Sequence, residues 1–155
     1  MANLDYDRIQ SLIDSLNLVQ NGVHCRALER LSCFENANAK YVLTKEKEEV
    51  FHELLELIPV FYEKKYTSVR TGCNSYVTKH DLEKYLKGSY VDNATTILAF
   101  AYLGFEISQY RDASPNVSIK AKLKYKSIRN DIGLQTYIRK LKNLQLPVST
   151  VSSPK

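Results

Sequence analysis

The chain has 155 residues, 44% of them hydrophobic and 25% charged, with a formal net charge of +5. These are the proportions of one ordinary globular domain, long enough to bury a core without staples. No apolar run approaches the roughly 20 residues that span a bilayer, and the opening MANLDYDRIQ lacks the basic-then-apolar layout of a secretory signal. The expected location is therefore intracellular, cytoplasmic or nuclear, with no membrane contact.

The first helix is predicted over residues 5–19, where Ile9, Leu12, Ile13, Leu16 and Val19 recur at three-and-four spacing and Asn21-Gly22 offers a stop. A second short helix is predicted over 24–34, followed by a polar loop over 35–40. The strongest helical signal lies at 45–62. Thr44 can cap it, Glu46, Glu48 and Glu49 suit its N-terminal dipole, and a broad apolar face includes Phe51, Leu54, Leu55 and Ile58. Pro59 is expected to kink this helix or to end it at Leu57.

Residues 67–75 read as a loop and 75–77 as a short extended piece. A compact helix follows over 78–88, with Thr78 and Asp81 at capping-box spacing and Gly88 as a left-handed exit. Asp92 can cap the next helix, which Gly104 closes. Alternation resumes at 105–110, and 112–116 has turn chemistry. Residues 117–126, VSIKAKLKYK, then alternate Ile119, Ala121, Leu123 and Tyr125 with Lys120, Lys122, Lys124 and Lys126. A strand repeats its facing every two residues, so one face is apolar and the other cationic. That pattern suits a ridge that meets phosphate, and equally an edge strand guarded by lysines against pairing with another chain. A last, basic helix is predicted over 127–145 and a disordered tail over 146–155.

The order helix, short strand, helix, turn, helix, hairpin over residues 45–125 resembles a winged-helix domain, a helix-turn-helix variant. Tyr76-Val77 would be its first strand, 78–86 its second helix, 93–103 its third and 105–123 its wing. The expected fold is thus α+β and mainly helical, one globular domain over 1–145. It comprises a helical N-terminal layer (1–43), a winged-helix-like core (44–126) and the basic helix (127–145). The resemblance implies a third helix in the DNA major groove and a wing on phosphates. The sequence departs from that pattern, because residues 92–104 contain no lysine or arginine. Asn93, Thr95, Thr96 and Tyr102 remain as base or partner contacts, while Ile97, Leu98, Phe100, Ala101 and Leu103 point to a largely buried helix.

Residues 117–143 carry eight basic side chains and one acid, Asp131, so the positive charge belongs to one end of the chain. Tyr85, Tyr90, Tyr102, Tyr110, Tyr125 and Tyr137 lie in the same half, and interleaved aromatic and basic residues suit single strands as well as protein interfaces. Cys25, Cys33 and Cys73, with His24, His52 and His80, lack the paired spacing of a zinc site. Cys73 with His80 lacks a nucleophile turn, and the five glycines stand apart, so there is no phosphate loop. No metal, cofactor or catalytic residue is expected. The expected function is non-enzymatic, mostly phosphate-directed nucleic-acid binding by Lys120, Lys122, Lys124, Lys126, Arg129, Arg139, Lys140 and Lys142. The alternative is a regulatory or assembly module that docks on an acidic protein surface. A small viral protein and a homodimer are compatible with either.

Overall fold

A computed structural model describes residues 3–25, 39–65, 68–88, 90–110 and 114–124. The fold is α+β. Helix α1 (Tyr6–Leu16) is capped by Asp5, whose carboxylate accepts from the Arg8 N–H, and buries Ile9 and Ile13. It ends earlier than its apolar periodicity suggests. Asn17 adopts a left-handed φ of 52°, and Leu18–Val19 (β1) turns back to pair with Gly22–Val23 (β2). Asn21-Gly22 is therefore part of a hairpin and not a helix stop. Gly22 has a φ of 143°, and a Cβ there would stand 2.1 Å from the Pro115 carbonyl oxygen. Most of the helix predicted over 24–34 lies outside the described residues.

Helix α2 (Lys45–Phe61) is capped by Thr44 as expected and buries Phe51, Leu54, Leu57, Ile58 and Phe61. Pro59 neither ends nor interrupts the assigned helix. It lies two residues from the end of the helix, where its missing N–H removes a single bond, and its ring is exposed to solvent. Residues Tyr62–Lys64 leave the helix directly as β3.

The predicted extended piece is displaced by two residues. Cys73–Asn74 forms β4, and helix α3 (Ser75–Glu83) already contains Tyr76 and Val77. Asn74 is the cap, accepting from the Tyr76 and Val77 N–H groups, so Thr78 is a buried residue within the helix. Gly88 does not close it: α3 ends at Glu83, and the turns Tyr85 N–H to Leu82 O and Leu86 N–H to Glu83 O follow.

Helix α4 (Asn93–Tyr102) begins at Asp92, whose carboxylate accepts from the Thr95 N–H at 2.6 Å, and Gly104 exits it at a φ of 90°. It is the axis of the molecule. Every residue from Asn93 to Ala101 is buried, with α1, α2, α3 and β2 packed around it. Phe100 meets Tyr62 and Phe105 edge-on at 5.3 and 5.1 Å.

The stretch predicted as one lysine strand belongs to two ladders. Val117–Ile119 (β6) lies between β4 and Ile107–Gln109 (β5) in an antiparallel sheet of order β4-β6-β5. Ala121–Leu123 (β7) pairs with β3, matching Tyr62 to Leu123, Glu63 to Lys122 and Lys64 to Ala121. Lys120 is the joint: its N–H donates to Glu106 O, and its carbonyl accepts from the Lys65 N–H. No helix among the described residues is long and apolar enough to cross a membrane.

Candidate functional site

The described lysines of the stripe do not form a uniform ridge. Lys120 is only 17% exposed at its side chain and pairs with Glu106 at 3.3 Å. Lys122 is exposed and stands opposite Glu63 across the β3–β7 ribbon. Lys124 donates to the Pro59 carbonyl oxygen at 2.6 Å, in the last turn of α2, where the helix presents partial negative charge. On β3, the Lys64 ammonium lies 5.8 Å from the Phe105 ring, and Lys65 is exposed. Lys126, Arg129, Arg139, Lys140 and Lys142 lie outside the described residues.

Three of the four polar positions proposed on α4 are not offered to a partner. The Asn93 amide donates to Asn21 O, Pro115 O and Asn116 Oδ1 at 2.9, 3.3 and 2.8 Å, tying the N-terminal hairpin to the turn before β6. The Thr95 hydroxyl is bonded to the Tyr41 phenol at 2.5 Å, and Thr96 donates back to Asp92 O. All three are buried, because α1, which comes first in the chain, lies over the helix they belong to. Tyr102 is half-buried; its hydroxyl accepts from the Asp5 N–H and its ring sits under Arg8 at 4.8 Å.

An exposed aromatic surface lies instead on and just after α3. Tyr76, Val77 and Tyr90 are 48, 55 and 64% exposed. Between the two tyrosine rings sits the Lys79 ammonium, 5.3 Å from one and 5.2 Å from the other, although Lys79 itself is only 7% exposed. Glu83 answers that buried charge: its Oε2 accepts from Lys79 at 3.3 Å and from the Val91 N–H at 3.1 Å. Its Oε1 lies 2.9 Å from His80 Nδ1, and the His80 ring stands perpendicular to Tyr76 at 4.5 Å. The sequence did carry a signal for this cluster. Tyr76 with His80 and Lys79 with Glu83 are both spaced by four, and only the placement of Tyr76 on a strand hid it.

Behind α3, Cys73 donates from its thiol to Ala121 O at 3.4 Å. Burial first, and then the nearby Asp81 carboxylate, push the thiol above its ordinary value, which disfavours the thiolate a nucleophile needs. Among the described residues, no group of three or more His, Cys, Asp or Glu side chains is placed to hold a metal. Comparison with protein-family models, with curated proteins and with solved structures finds no match to the chain.

Proposed function

We propose that this chain is a non-enzymatic nucleic-acid-binding protein that holds its partner mainly through phosphates, with little sequence preference. The observation that carries the reading is where the charge falls. Residues 1–124 contain as many acidic as basic side chains, and residues 125–155 carry six basic and one acidic. The whole net charge therefore belongs to residues 125–155, which follow β7 in the chain. A chain whose first 124 residues are balanced in charge and whose last 31 carry the excess suits a polyanion, whose counterions are released on binding.

The order α2–β3–β4–α3–α4–β5–β6, in which β4 pairs with β6 of the β5–β6 hairpin, supports a winged-helix-like interpretation. The burial of α4 argues against reading bases in a duplex groove with that helix and leaves phosphate contact as the main source of affinity. A second reading, docking on an acidic protein surface, is favoured by one observation: Val77 is exposed beside Tyr76, and a bare apolar side chain suits a protein interface.

Fluorescence anisotropy of the full chain with labelled oligonucleotides, titrated at several salt concentrations, tests the first reading. Binding should weaken steeply with salt. Arg139→Gln, Lys140→Gln and Lys142→Gln together should lower affinity for all sequences alike, flattening the slope of log affinity against log salt by about 0.7–0.9 per lost contact. Lys122→Gln should act in the same direction. Salt-sensitive binding that survives all four substitutions unchanged would contradict the proposal.

A further inference from the structure

We propose that the outer face of α3, together with Tyr90, is a stacking platform for the unpaired bases of a single-stranded nucleic acid. This rests on the polyanion reading above and names the form of nucleic acid that the folded body selects.

The first ground is the burial of Lys79. A lysine on a nine-residue surface helix is normally solvated; here its ammonium is drawn between two tyrosines and bonded to Glu83. The arrangement holds both rings in place while leaving 48% of Tyr76 and 64% of Tyr90 exposed. Rings fixed before binding lose less freedom when a partner arrives. An aromatic ring accepts any base on its face.

The second ground is the sign of the surrounding charge. The exposed basic side chains between Tyr76 and Tyr90 are His80, Lys84 and Lys87, the last 4.0 Å from Glu53. Asp81 is turned toward Tyr62 and Cys73, and Glu83 is occupied by Lys79, His80 and the Val91 N–H. An anionic strand thus meets aromatic and basic groups, while the two carboxylates of α3, Asp81 and Glu83, are partly buried.

The third ground is the form of nucleic acid that these ring faces fit. Duplex bases hide their faces in the stack, and the buried α4 offers no groove reader; an unpaired strand exposes the faces that tyrosines recognise.

The test uses the full chain and short labelled oligo-dT, with a duplex of equal length as the comparison. Wild type should bind oligo-dT, and Tyr76→Ala and Tyr90→Ala should each weaken that binding about fivefold to a hundredfold with little change for duplex. Tyr76→Phe and Tyr90→Phe should bind like wild type. Tyr76→Leu and Tyr90→Leu, which keep apolar bulk without a ring face, should bind like the alanine variants. Because the chain has no tryptophan, its tyrosine emission is a direct second readout and should be quenched by oligo-dT in wild type. Thermal melts check that each variant folds, and the phenylalanine and leucine pairs keep the test decisive if an alanine variant does not. Alanine variants that retain wild-type affinity for oligo-dT would overturn the platform while leaving the polyanion reading intact. Leucine variants that bind like wild type would also overturn it, marking the face as an apolar protein-docking surface. Wild type that binds neither oligo-dT nor duplex would overturn both.

Discussion

Helices α3 and α4 follow one another in the chain and differ by one residue in length, yet they treat polar side chains in opposite ways. On α4, Asn93, Thr95 and Thr96 look like contact residues and are consumed inside the molecule. On α3, a buried lysine paired with a partly buried glutamate lies between two tyrosines, Tyr76 and Tyr90, that stand at the surface. The difference comes from what covers each helix. With α1, α2, α3 and β2 packed around it, α4 keeps no face free, so its polar groups must be satisfied internally. Among the described residues, nothing covers the outer side of α3 in that way, and Tyr76, Val77 and His80 are exposed.

The largest effect should come from the junction that closes over α4. Gly22→Ala forces a side chain into a backbone carbonyl and an unfavourable φ at once, with no flexible group able to yield. We expect a loss of about 3–5 kcal/mol or failure to fold, measured by denaturant unfolding. A variant as stable as wild type would mean that the hairpin does not sit against Pro115 and Asn93.

Next is the core itself. Leu54→Ala removes a fully buried side chain from the helix facing α4 and should cost about 2–5 kcal/mol. Leu55, in the same apolar run of the sequence, is only partly buried, so Leu55→Ala should cost clearly less. Equal losses would place both leucines in the same environment and contradict the facing described for α2.

A smaller, pH-dependent effect separates inside from outside. Burial pushes the Tyr41 and Tyr62 phenols above their ordinary value of 10.0, Tyr41 while bonded to Thr95 on α4. Their folded values are raised, so the folded protein keeps protons that the unfolded chain loses. That stability is fully present below pH 10 and declines as pH rises beyond it, by up to about 1.4 kcal/mol per pH unit for each group. Tyr62→Phe should flatten the alkaline decline of the melting temperature. A decline as steep as in wild type would mean that the Tyr62 phenol is not held in the core.

The elements most legible in the sequence were those fixed by local chemistry. Thr44 and Asp92 cap their helices as side chains of that type do, and Gly104 closes α4 because a positive φ was required there. Boundaries failed where two local signals competed. Ser75 to Val77 carry β-prone residues, yet Asn74 captured two N–H groups and started a helix. Val19 continued a helical stripe, yet the left-handed turn at Asn17 sent it into a hairpin. The alternation over 117–123 correctly marked extended chain. It could not say that the chain would pair with β4 and β5 in its first half and with β3 in its second, because pairing partners are remote in sequence. For the same reason Lys120 and Lys124 looked free, whereas Glu106 and the Pro59 carbonyl, brought close by the fold, engage them. The basic residues after position 124 are legible as charge alone.

The central claim is that α3 meets the partner while α4 only supports it. Amide chemical-shift mapping of the full chain, with and without oligo-dT, tests this most directly. The account predicts that the amides of residues 76–83 and 90, with those of the β3–β7 ribbon, move on titration. Those of Asn93 to Ala101 should stay near their free positions. Shifts centred on α4 with α3 unmoved would contradict it.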